Sequence, residues 1–413
     1  MSDLISVENA LELVLGAAKT LPPEDRPLIE ARDYFLAQDI SAKEAIPPFD
    51  NSAVDGFAVR IVDIEGASPS NPRTLPVGGE VRAGSSWEGE LPKGKTLRIL
   101  TGAPVPDGAQ AVVRLEDVRE SSAGVQFSRE PEIGQNVRRA GGDVHPGQTV
   151  LRRGDRLTPP ALGLAASLGC EEVKVTRRPQ LALLVTGDEL VAPGRPLAPG
   201  KIHDSNSFSL RAFFERLGYN VEFLGVASDD PQLLKSKLQQ GLAADVLITS
   251  GGVSVGKYDY VRNLLKQLGA EEIFWRIAQK PARPVLFCRR GDTLIFGLPG
   301  NPVSVLVASE IYVKPALRKM EGRPDLLAPR LRLPMGEAFH KKTPLTQFVR
   351  AWAERRSERV TLRVTGPQES NVLSSSLNAH GLIVLPPETA LLNEGDSVDF
   401  IVTDEEAVLR AMA

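Results

Sequence analysis

The feature that most constrains this chain is a run of buried-type strands alternating with helical segments from Arg178 onward. Leu181–Val185 and Val246–Thr249 are short, apolar throughout and bounded by turn residues, as strands covered on both faces are. Asp204 or Ser205 can cap a helix through Leu217, which Gly218 ends. Val221–Val226 then reads as a strand and Pro231–Leu242 as a helix. A helix from about Tyr258 to Leu268 follows, with strands at Val285–Phe287 and Leu294–Phe296. Asn301 caps a final long helix with Pro302 in its first turn. The alternation predicts an α/β domain with an open sheet over residues 178–329, where ligands bind beyond the carboxyl ends of the strands.

The flanks have other textures. Residues 1–45 read as mostly helical, with Ser6 as a cap and an apolar stripe of Leu11, Val14, Leu15 and Ala18. From Ile46 to about Pro160, the short apolar runs Phe57–Val59, Thr96–Leu100, Ala111–Leu115 and Gly124–Phe127 alternate with Gly- and Pro-rich turns, predicting a β-rich module. Pro159-Pro160 and the helix-like Ala161–Leu168 mark a boundary. Residues 330–413 return to short strands such as Val360–Val364, Gly381–Leu385 and Val398–Val402, which suggest a small barrel.

The length of 413 residues allows two to four domains, and a net charge of −3 argues against nucleic acid as the main partner. The two cysteines, Cys170 and Cys288, are too few for a disulfide framework or a thiolate metal site, which fits a reducing, cytoplasmic setting. The first residues carry acids among apolar side chains rather than a basic segment before an apolar run, unlike a signal peptide. No stretch approaches the ~20 apolar residues of a membrane span.

Three strand ends carry distinctive loops: Thr186-Gly187-Asp188-Glu189, Ser250-Gly251-Gly252-Val253-Ser254-Val255-Gly256 and Pro299-Gly300-Asn301-Pro302. The middle loop offers N–H groups and glycine freedom suited to a phosphate, although a tight βα turn has the same composition. It matches neither GxGxxG nor the Walker pattern. Lys280-Pro281-Ala282-Arg283-Pro284 holds two cations on a stiffened segment, and Arg276 adds a third; these suit phosphate oxygens, or a solvated face. Asp50-Asn51-Ser52-Ala53-Val54-Asp55-Gly56 places two carboxylates in a turn-prone string. Its module also holds Thr101-Gly102-Ala103-Pro104 and Gly141-Gly142-Asp143. Partly desolvated carboxylates held together need a cation or donors, a requirement that Mg²⁺ bridging to a substrate phosphate would meet. The four histidines have no ligand spacing, which disfavours zinc.

The strings PPFDNSAVDGFAVR, TGAPVPDGA, VTGDEL, ITSGGVSVGKYDYV, KPARP and FGLPGNPVS, in this order, resemble the signature set of MoeA-type molybdopterin molybdenumtransferases, which include the gephyrin E domain. The resemblance runs from the first helix to the last strands. It implies an α/β plus β multidomain fold: a discontinuous N-terminal domain (1–45 and 146–177), a β-rich inserted module (46–145), a three-layer molybdopterin-binding-type α/β domain (178–329) and a C-terminal β-barrel (330–413). It also implies a homodimer whose cleft joins the α/β domain of one subunit to the β-rich module of its partner.

By motif, the resemblance assigns the reaction to Asp55, Thr101, Asp143, Glu189 and Asp259, with Asp55, Glu189 and Asp259 positioning Mg²⁺ or the attacking oxygen. Asp229 or Asp230 joins them. Substrate binding falls to Ser250, Gly251, Gly252, Ser254, Lys280, Arg276, Arg283, Pro299, Asn301, Pro302, Arg350, and Ser374 or Ser375. Arg276 stands where many relatives have Lys, which keeps the charge and changes the donor geometry. The implied reaction inserts molybdate into adenylylated molybdopterin and releases AMP, with a possible contact to molybdopterin adenylyltransferase. The alternatives are adenylyltransferase activity itself, which needs neither flanking region, and a gephyrin-like scaffold.

Overall fold

The computed structural model describes residues 4–253, 260–356 and 359–413. It divides into two compact units, Met1–Glu24 with Val175–Ala413, and Asp25–Lys174. No helix among the described residues is long and apolar enough to cross a membrane.

In the first unit, a six-stranded sheet has the order Val221–Ala227, Leu181–Thr186, Val246–Ser250, Thr293–Leu298, Leu286–Arg290, Glu271–Trp275. The first four strands are mutually parallel and the last two join by antiparallel pairs. Successive side chains feed opposite faces, as the pleat requires. Leu181, Leu183 and Val185 enter one core with Val7, Leu210, Phe214 and Leu317, while Ala182 and Leu184 enter another with Leu234, Leu238 and Leu265. Helices therefore cover both faces, giving the expected three layers.

The predicted helices form over Asn206–Arg216 and Pro231–Gly241. The third is described over Tyr260–Gln267, and the expected start at Tyr258 lies outside the described residues. Residues 1–45 are less helical than their stripe suggests. Val7–Ala17 forms a helix, with Ser6 accepting from the Asn9 N–H at 3.1 Å, but Pro22-Pro23 bars its continuation. The last helix is not uniform either: Pro302–Ala308 and Lys314–Met320 flank a π turn, Ser309–Val313. Pro315 directly after that turn has no N–H for the ordinary ladder.

The C-terminal strands pair in the order Gln279–Lys280, Thr346–Arg356, Gly381–Leu385, Ser397–Val402, Arg330–Pro334, with Arg359–Val364 also on Thr346–Arg356. Among the described residues this ladder is open where a small barrel was expected. Arg330–Pro334 and Arg359–Val364 share no strand ladder among the described residues; a single bridge of Met335 to Leu362 joins the chain just past the first to the second.

The second unit contains a four-stranded sheet, Val77–Val81, Thr96–Ile99, Gly56–Val59 and Ala111–Arg114, and a three-stranded one, Arg73–Leu75, Gly124–Phe127 and Val118–Ser121. Phe57 and Val113 pack on one side of the larger sheet, Ala58 and Val112 on the other. Pro159-Pro160 opens the helix Pro159–Ser167.

Candidate functional site

Leu181–Thr186, Val246–Ser250 and Thr293–Leu298 run parallel in a register that pairs Val185 with Ser250 and Ser250 with Leu298. Their carboxyl ends thus lie together. After Leu181–Thr186 the chain forms the neighbour on one side, Val221–Ala227, and then returns to form Val246–Ser250 on the other. This is the topological switch point at which such sheets open a crevice. The three following loops line a cavity of about 570 Å³.

Glycine makes the convergence possible. The Gly251 N–H donates to Leu298 O at 3.0 Å, and its φ is +94°. A Cβ there would lie 2.6 Å from Thr186 O, closer than any side chain tolerates. At Gly187, with φ +147°, a Cβ would lie 2.6 Å from Glu189 Oε2, so the Glu189 carboxylate rests against this backbone.

Of the expected site residues, Glu189, Ser250, Gly251, Gly252, Pro299, Asn301 and Pro302 line this cavity. Ser254 and Asp259 lie outside the described residues. Asn301 occupies the cap position without capping; its Nδ2 donates to Ser370 Oγ at 3.0 Å. The choice between Asp229 and Asp230 divides by geometry. Asp230 caps the helix Pro231–Gly241, accepting from the N–H groups of Gln232 and Leu233, each at 2.9 Å, whereas Asp229 lines the cavity.

The three expected cations do not line it. The Arg276 guanidinium lies 4.2 Å from the Trp275 ring centroid, at a backbone φ of +71°, and Arg262 lies 3.9 Å from the same centroid. Both guanidiniums are thus within cation–π reach of one ring. Trp275 Nε1 donates to Val253 O at 2.9 Å, tying this stack to the middle loop. Lys280 sits half-buried on Gln279–Lys280, paired with Gln347. Arg283 is exposed, and its neighbour Pro284 lines the cavity.

Arg350 is 2% exposed and donates from Nε to Ser375 Oγ at 2.8 Å, and from Nη2 to Pro367 O at 2.9 Å. Nη1 has no partner among the described residues. Burial pulls its pKa down to about 10. Between Ser374 and Ser375, it is Ser375 that meets the guanidinium.

In the second unit, Asp55 Oδ1 accepts from the Thr101 N–H and from the Thr101 hydroxyl, each at 2.7 Å. The backbone bond first, and the hydroxyl second, hold the Asp55 pKa below the usual carboxylate range. Asp50 is met by Arg139 at 2.6 Å and by the Ala140 N–H at 2.8 Å, so each carboxylate of the string has protein donors of its own. Asp143 is exposed, and its N–H donates to Ile46 O at 2.9 Å. No group of three or more His, Cys, Asp or Glu side chains is gathered to hold a metal among the described residues.

Sequence reasoning offered Asp204 as a helix cap and Thr186 as the start of the first loop, and gave Asn206 no role. Asp204 Oδ1 accepts the Ser207 N–H at 3.1 Å and acts as the helix cap. Asn206 Nδ2 donates to Ser250 Oγ at 2.9 Å and to Gly300 O at 2.7 Å, linking the second and third loops. The available signal was the polar triplet Asp204-Ser205-Asn206 at a helix start.

Three family models match in chain order: the MoeA N-terminal region (domains I and II) over residues 5–169, a probable molybdopterin-binding domain over 182–319, and the MoeA C-terminal region (domain IV) over 332–403. Molybdopterin molybdenumtransferase 2 of Mycobacterium tuberculosis is 36% identical over 398 residues, covering 94% of this chain and 97% of the relative. The molybdopterin molybdenumtransferase of Haemophilus influenzae is 37% identical over 375 residues, covering 90% and 91%. A solved molybdopterin biosynthesis MoeA protein from Pyrococcus horikoshii superposes with a TM-score of 0.84 at 30% identity, covering 97% of this chain and 99% of that one.

Proposed function

The chain belongs to the MoeA family of molybdopterin molybdenumtransferases, and on that premise we propose that it inserts molybdate into adenylylated molybdopterin, releasing AMP and completing the molybdenum cofactor. The observation that carries this reading is the cavity at the switch point, built almost wholly from residues matched by the molybdopterin-binding model. Both substrates are anions, so the site must hold like charges together. Ser250, Gly251 and Gly252 supply a close backbone approach, while Lys280, Arg276, Arg283 and Arg350, none of which lines the cavity, are proposed as the source of positive charge by resemblance alone. Orienting two bound reactants lowers such barriers by roughly 7–11 kcal/mol, and we assign much of the acceleration to this.

The residues lining the cavity include Glu189 and Asp229, whose carboxylates offer hard oxygens. Few protein oxygens of this kind suit Mg²⁺, which keeps water and takes phosphate oxygens as further ligands. Glu189 would hold the ion, and Asp55 and Asp259 are proposed ligands by resemblance alone. When bound, the ion would neutralise phosphate charge. The proposal extends to a cytoplasmic homodimer, in which the β-rich module of one subunit serves the cavity of its partner, and to contact with molybdopterin adenylyltransferase.

The test supplies adenylylated molybdopterin, Mg²⁺ and molybdate, and measures AMP release and reconstitution of a molybdoenzyme. Transfer of AMP from ATP onto molybdopterin, without molybdate insertion, would assign the chain to the preceding reaction instead.

A further inference from the structure

Asn206 begins the helix Asn206–Arg216 at the wall of the cavity and is only 8% exposed. Its amide has one orientation. Gly300 O is a carbonyl and can only accept, so the nitrogen must face it, and the second N–H reaches Ser250 Oγ. Oδ1 is left buried without a partner among the described residues. Thr186, at the first strand end, lines the same cavity, and its Oγ1 is likewise buried without a partner among the described residues.

A buried acceptor is costly unless something completes it. Molybdate and phosphate oxygens, as acceptors, cannot satisfy Oδ1. A donor on a heterocycle can. We propose that Asn206 is a specificity-determining residue for the pterin, its Oδ1 accepting a hydrogen bond from the exocyclic amine of the ring. The assignment rests on the function proposed above. Because Nδ2 is committed to two loops, the acceptor is aligned before the ligand arrives, which limits the entropy lost on binding.

Adenine also carries an exocyclic amine, so the test has two arms, each comparing a ligand with its oxo counterpart by calorimetric titration. Wild-type protein should bind pterin-6-carboxylate about tenfold or more tightly than lumazine-6-carboxylate, which turns an oxygen toward Oδ1. In Asn206→Ala that preference should fall to about one, while the preference for AMP over inosine monophosphate stays as in wild type. A loosened site would weaken pterin and lumazine alike and keep their ratio, and that result overturns the proposal. Loss of the AMP preference in its place gives Asn206 to the adenine and overturns the pterin assignment. The wild-type comparison needs no variant to fold, and the absence of any pterin preference there is sufficient refutation. AMP release by wild type, followed in parallel, tests the transferase reading separately from these ratios.

Discussion

Thr101 donates twice to one oxygen of Asp55, from its backbone and from its hydroxyl. Donors to the charged form lower a carboxylate's pKa, so removing one must raise it. In Thr101→Val the acid limb of the turnover profile should therefore move to higher pH; an unmoved limb removes Asp55 from the groups that must be ionised. Asp55→Asn should abolish turnover with the fold intact, and a thousandfold loss corresponds to ~4 kcal/mol of transition-state stabilisation. Circular dichroism alongside the assay separates that outcome from unfolding. Cys288 behaves oppositely, since burial pushes its thiol up to about 12. At pH 8 a thiol reagent should modify the half-buried Cys170 and spare Cys288 until denaturant is added. The Asp55–Thr101 pair was legible because both residues sit in distinctive strings. Asn206 was not, because its partners lie 44 and 94 residues further along the chain and no local spacing announces them.

The loops at the strand ends make a sharper test of packing than the strands themselves. Gly251→Ala forces a Cβ to 2.6 Å from Thr186 O at a left-handed φ, and should cost about 1–3 kcal/mol with loss of pterin binding. Gly300→Ala meets nothing within 4 Å and should stay within about 0.5 kcal/mol of wild type in a denaturant titration. Elements that carry their own pattern were readable: Leu181–Thr186 and Val246–Ser250 from unbroken apolar runs, Gly381–Leu385 from its boundaries. The edge strand Glu271–Trp275 was missed because Glu271 and Glu272 break both alternation and hydrophobicity where one side faces water. Strand pattern also says nothing about how a ladder ends, which is why a barrel was expected where the pairing stays open.

At the scale of the molecule, the proposed homodimer has a direct consequence. If each cleft draws Asp55 from one subunit and Lys280 from the other, mixing Asp55→Asn with Lys280→Ala subunits should restore one intact cleft per mixed dimer. Random exchange makes half the dimers mixed, so activity should recover to about a quarter of wild type. Confirmed exchange with no recovery would place the site within one chain. The split of the first unit bears on something else, the order in which the protein is made. The helix Val7–Ala17 packs Val7, Ala10 and Val14 into the core with Leu183, Phe214 and Leu317, yet Asp25–Lys174 intervene. On a ribosome adding 5–20 residues per second, its apolar stripe waits roughly fifteen to sixty seconds for the sheet it will cover. The intervening unit, with its own cores, can close in that interval. The helix that comes early in the chain is then among the last pieces to dock, less a seed for folding than a latch thrown once the sheet is complete.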